Sequence, residues 1–184
     1  MKATMFFTVL AFAGAAGAAA MGPLRLPAPP PLPLLQHPPL LVVARTSQQL
    51  STTADPLWEV RLVVDGQIAG TLPALIGRAD RQSLDRHKAG TKAPLPVGRY
   101  EIIRSQISGP PFTERELGKG YWIPIEPLFR TGRSYLGIHH DPSWGQRNGE
   151  SGTSGCIGLQ AAGDTYLLSD WIRKFDIKEI RVDS

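Results

Sequence analysis

A chain of 184 residues holds one domain with a substantial core and leaves no room for two ordinary domains beside its unusual N-terminal segment. Its composition, 42% hydrophobic and 20% charged, excludes a wholly disordered chain, while 19 Gly and 17 Pro point to many turns and a β-leaning fold. A net charge of +4 would suit an anionic partner, but the basic residues are scattered, with no Lys/Arg run and no basic block interleaved with aromatics, so nucleic-acid binding is not expected.

Residues 1–20 read as a secretory signal peptide: cationic Lys2, an apolar stretch from Met5 to about Ala20, and an A-x-A pattern at Ala16-Gly17-Ala18 or Ala18-Ala19-Ala20. The competing reading is an uncleaved anchor, but the stretch falls short of the ~20 residues that span a bilayer, and its second half is Ala and Gly. The expectation is export to the periplasm or cell wall, with no stable membrane span once the signal is removed. Residues 21–39 are too rich in proline for a helix or a central strand and read as an extended spacer. A ligand for a proline-reading domain is the alternative. The folded domain is expected over residues 40–184.

Leu40 to Arg45 is an apolar run suited to a first strand. Trp58, Val60, Leu62 and Val64 then alternate with Glu59 and Arg61, and Asp65-Gly66 separates this run from "QIAGTL", a strong hairpin signal. A strand follows with Tyr100 and Ile102, extending towards Ile107. "YWIPIEPLF" reads as an edge or bulged strand because of Pro124. "RSYLGIHH" is a strand ending at a histidine pair, a polar glycine-bearing loop follows, and "CIGL" is a short apolar element. Asp164 is the candidate N-cap of the single clear helix, whose Leu167, Leu168, Trp171, Ile172 and Phe175 form an apolar stripe for core packing. "KEIRVDS" closes as a strand. The whole is a mainly β domain, single-sheet or sandwich-like, with one late α-helix.

The chain has one cysteine, Cys156, so no disulfide can form within it, and in an exported chain the thiol is either buried and inert or reactive. A thiol nucleophile needs a base and a site for the oxyanion it creates. Of the four histidines, His37 falls in the spacer and His87 in a charged stretch, leaving His139 and His140. Neighbours on a strand face opposite ways. His140 shares a face with Leu136 and Ile138, the expected core face, and His139 shares one with Tyr135 and Gly137, so alternation favours His139 in the cleft. A metal at this pair would need further ligands, and only Asp141 is near, so no metal is expected; thiol, imidazole and amide donors suffice for such a reaction, so no cofactor is expected. Gly155 removes a side chain where a carbonyl would approach backbone N–H groups, and Thr153 and Ser154 can hold the turn, which makes Thr153, Ser154 and Gly155 a candidate oxyanion turn. An ordinary turn into a strand with Cys156 as a small buried hydrophobe is the alternative.

His139 precedes Cys156 by seventeen residues, whereas papain-like and NlpC/P60-type cysteine peptidases place the cysteine first. A strand ending in Ile-His, a glycine-rich loop and then [Ser/Thr]-x-Gly-Cys with an apolar residue after it resembles the L,D-transpeptidase catalytic domain, or YkuD, family. The pieces here are "GIHH" at 137–140 and "TSGCIGL" at 153–159, and "KAPLPVGRYEI" at 92–102 is similar to that family's "TPxGxY". The resemblance implies a β-sandwich of the L,D-transpeptidase type acting on peptidoglycan stem peptides, with Cys156 as nucleophile, His139 as base oriented by a backbone carbonyl, and the oxyanion held around Ser154, Gly155 and Cys156. His140, Tyr135 and Arg147 are candidate substrate contacts.

Two positions depart from the family, which often has His at the position of Ser154 and a substrate-holding Arg at that of Gly158. Arg147 and Arg133 could supply the charge, although surface solvation is the simpler role for each. Three readings follow: a wall-directed transpeptidase, an L,D-carboxypeptidase or secreted wall-targeting effector using the same thioester, and a non-catalytic wall-binding module.

Overall fold

The computed structural model describes residues 37–109 and 117–184. The expected signal peptide and the spacer as far as residue 36 lie outside the described residues.

The chain forms β1 (Leu40–Gln49), β2 (Pro56–Val64), β3 (Gln67–Ile76), β4 (Gly98–Ile102), β5 (Ile123–Pro127), β6 (Leu136–His140), β7 (Ile157–Leu159), α1 (Ala162–Lys174) and β8 (Glu179–Val182), with short 3-10 turns at Ala79–Arg81 and Arg104–Gln106. Among the described residues the protein is mainly β with one late helix. Its eight strands are hydrogen-bonded in a single closed sheet, in the order β1-β2-β3-β7-β6-β5-β4-β8, so the ladder is continuous around the domain where a sandwich would have two separate sheets. Closure leaves no edge strand to protect among the described residues.

The β2–β3 hairpin turns at Asp65 and Gly66 with φ of 53° and 80°, the left-handed pair that a tight two-residue turn demands. Trp58, Val60 and Leu62 of β2 are buried and meet Leu41, Val43, Tyr100, Ile123, Ile138 and Ile157 in one core. β5 is not an edge strand: it lies between β4 and β6. Pro124 is tolerated because it sits just beyond the last β4–β5 pair, Ile102 with Ile125, where its carbonyl accepts from Ile103 N–H and a missing donor falls at the ladder's end. β4 itself stops at Ile102, and Ile107 lies past the 3-10 turn.

α1 begins at Ala162 and not at Asp164, whose carboxylate reaches back to accept the Ala161 N–H at 3.0 Å from the third helical position. Leu168 and Ile172 are fully buried in the core, and the helix packs against β6 and β7, the two strands that carry the histidine pair and lead out of the cysteine turn. Among the described residues no helix is long and apolar enough to cross a membrane.

Candidate active site

β6 and β7 run parallel, with Ile138 opposite Ile157, His139 opposite Gly158 and His140 opposite Leu159. Ile138 and Ile157 are fully buried in the core. Alternation therefore turns His139 and Gly158 to the other face, and Cys156, one residue before β7, falls on the same face as Gly158. Cys156, His139, Thr153 and Ser154 line one cleft of about 440 Å³, together with Arg78, Asp141 and Glu150. A larger groove, about 980 Å³, lies elsewhere on the barrel along Val42, Arg61, Ile68 and Lys178 and contains neither Cys156 nor His139.

His139 is 4% exposed, and Trp122 packs against it at 5.9 Å between ring centroids. The indole occupies the space that a side chain at Gly137 would need. His139 Nδ1 lies 2.8 Å from the His140 carbonyl, which can only accept, so Nδ1 carries the proton and Nε2 is the basic nitrogen. Burial pushes the pKa of His139 below the usual histidine value; the His140 and Leu117 carbonyls and Asp141 act against that shift, and the His140 ring adds to it. Folding thus holds the ring neutral. The unfolded chain binds this proton first as pH falls below about 6.5, so stability declines from there towards the lower folded value and is unaffected above it.

The turn before Cys156 is organised by Thr153, whose hydroxyl accepts from Gly77 N–H at 3.1 Å and Gly155 N–H at 3.2 Å and donates to the Cys156 carbonyl at 2.6 Å. That one side chain ties the end of β3 to the start of β7. Asp141, 2% exposed, does the same for the loop after β6: its carboxylate accepts the N–H groups of Ser143 and Gly152 at 2.9 and 3.0 Å. Cys156 is partly exposed, with Sγ 3.8 Å from the Tyr135 carbonyl.

The other sequence candidates lie apart. His140 turns away from the cleft, and its Nδ1 accepts from Lys119 N–H at 3.2 Å. Tyr135 presents a side chain that is 95% exposed on a left-handed backbone, φ 52°, and only its carbonyl faces the sulfur. Arg147 borders an adjoining hollow that shares Arg78 and Gln146 with the cleft. Arg133 is not solvated at the surface: it is 7% exposed and donates to the Arg86, Ala93 and Ser154 carbonyls at 3.2, 3.4 and 3.1 Å. Arg78, which sequence reasoning missed, lines the cleft and donates through Nη1 to the Ser151 carbonyl at 3.0 Å. Nothing local marks it, since it comes to the site only through the β3–β7 pairing.

Gly158 has a steric reason. A Cβ there would meet Thr153 Cγ2 at 2.7 Å and Asp141 Cβ at 2.9 Å, so the two residues that organise the loops occupy the space of a side chain. Among the described residues, no group of three or more His, Cys, Asp or Glu is assembled that could hold a metal ion.

A single thiol that shares a cleft with a neutral imidazole and follows a glycine turn is an arrangement suited to acyl transfer through a thioester. The sequence matches the family of L,D-transpeptidase catalytic domains, YkuD, over residues 41–180, and the chain belongs to that family, whose members are cysteine-based transpeptidases of the cell wall. No curated protein sequence matches the chain.

Proposed function

We propose that the domain is a peptidoglycan L,D-transpeptidase that acts on tetrapeptide stems after export, with residues 1–20 as the signal. The observation that supports this reading most is the parallel β6–β7 register, which turns His139 towards the cleft that Cys156 enters from the start of β7.

In the first half-reaction His139 Nε2 takes the Cys156 proton, and the sulfur attacks the carbonyl that links meso-diaminopimelate to the terminal D-alanine. The oxyanion is received by backbone amides of the Ser154–Cys156 turn; the Gly155 N–H is engaged with Thr153, so Gly155 contributes shape more than a donor. Collapse breaks the C–N bond, the imidazolium protonates the departing amine, and a C–S thioester remains. In the second half-reaction an acceptor amine attacks the thioester, His139 takes its proton, the C–S bond breaks, and the proton returns to sulfur. Arg78, a guanidinium on the cleft wall, meets a carboxylate of the stem where the family's arginine is absent.

Because burial holds His139 neutral, the acid limb of kcat/KM is expected below the usual histidine value of about 6.5. A pH–rate profile checks this, and a limb at or above that value would remove His139 as the base. Product analysis of tetrapeptide muropeptides, with and without an added amine acceptor, tests the reaction itself. Transfer to the amine is expected; release of D-alanine with water as the only acceptor would make the domain a carboxypeptidase.

A further inference from the structure

The buried cation Arg133 has no part in the proton transfers above, yet it packs against Ser154 and Gly155, the two residues before the nucleophile. It sits on the segment leading into β6 and is nearly enclosed. None of the ion pairs among the described residues includes it. Burying a guanidinium without a carboxylate is costly unless other groups compensate. Its partners are carbonyls: Nη1 reaches Arg86 and Ala93, and Nη2 reaches Ser154. The same Nη2 stands where a Cβ on Gly155 would be, so the guanidinium tip takes the side-chain space of the residue before the cysteine, and at this position, with φ of 119°, glycine is the residue type that admits it.

Resting on the reading of Cys156 as nucleophile, we propose that Arg133 is a positioning residue that clamps the Ser154–Gly155 peptide and supplies the fixed positive charge facing the Cys156 thiol.

Two further observations support it. Burial pushes the Arg133 pKa down, and the charge of Cys156 is the largest influence drawing it back up. Tyr100 of β4, the other neighbour that could neutralise Arg133, keeps its proton, because burial pushes its pKa well up and its hydroxyl donates to the Pro96 carbonyl at 2.7 Å. Among the described residues, the remaining charged and titratable groups lining the cleft with the thiol are His139 and Asp141 at β6, Arg78 after β3 and Glu150 in the loop. His139 is held neutral, so it offers the thiolate no lasting counter-charge in the resting protein. A guanidinium cannot lose its proton and can hold that charge through the cycle.

The single cysteine makes the test clean. The rate of alkylation by iodoacetamide reports the thiolate, and it is measured against pH in the wild type, Arg133→Gln and Arg133→Lys, with a thermal melt of each. Arg133→Gln is expected to alkylate about tenfold more slowly at pH 7. Arg133→Lys, which keeps the charge but not the fork, is expected to stay within about twofold of the wild type in alkylation while losing turnover. Wild-type alkylation in a folded Arg133→Gln protein, or wild-type turnover in Arg133→Lys, would overturn the inference, as would failure of both variants to fold, which would make Arg133 purely structural. Should the wild-type thiol itself resist alkylation, the reading of Cys156 as nucleophile fails instead.

Discussion

Cys156→Ala is expected to lower turnover by roughly 10⁴- to 10⁶-fold, the range seen when a covalent nucleophile is removed. The fold should survive. Cys156 is partly exposed at the mouth of the cleft, while the residues that shape its surroundings are Thr153, Arg133 and Ile157. Alanine removes one sulfur atom and leaves the hydrogen bond from Thr153 to the residue 156 carbonyl untouched, so stability should change by less than about 1 kcal/mol. Melting temperature and turnover, measured on the same preparation, separate the two roles a lone thiol can have. A large fall in melting temperature with activity retained would identify a packing cysteine.

Gly158→Arg gives the domain the residue its family often carries at that position, and here it should be harmful. The new Cβ enters space held by the Thr153 methyl and the Asp141 side chain, both buried, in a strand paired on both sides. Overpacking of this kind costs about 1–3 kcal/mol, or a fall in melting temperature of roughly 3–10 °C for a domain of this size. The effect on activity is larger than the effect on stability, because Thr153 and Asp141 cannot move without loosening the Gly77, Gly152, Gly155 and Cys156 contacts that build the turn. A variant with wild-type stability and raised activity would mean that the cleft has room for an arginine there and that Arg78 is not its stand-in.

What could be read from the sequence was local. Alternation around Asp65-Gly66 and the left-handed tolerance of that pair predicted the hairpin, and alternation in β6 put His139 on the face opposite Ile138. Features set by pairing across long stretches of chain were not legible. Closure of the sheet depends on β1 meeting β8 and β3 meeting β7, which no local period encodes. Pro124 looked like an edge signal because the end of β4 beside it is a tertiary fact. Arg133 read most simply as a solvated surface cation, and Arg78 carried no local signal; only the fold encloses the one beside Gly155 and brings the other from the end of β3 to the cleft. Asp164 was recognised as a helix-start residue but placed three positions late, since its side chain caps backwards from within the first turn.

In the proposed reaction the carbonyl carbon of a stem peptide becomes covalently bound to the Cys156 sulfur. Intact-protein mass spectrometry of the domain, quenched in acid during turnover of a tetrapeptide stem, tests it most directly. The expected result is a mass increase equal to the stem acyl group without its terminal D-alanine, mapped to Cys156 and discharged by an amine acceptor. Turnover with no adduct at any time point, or an adduct on another residue, would contradict it.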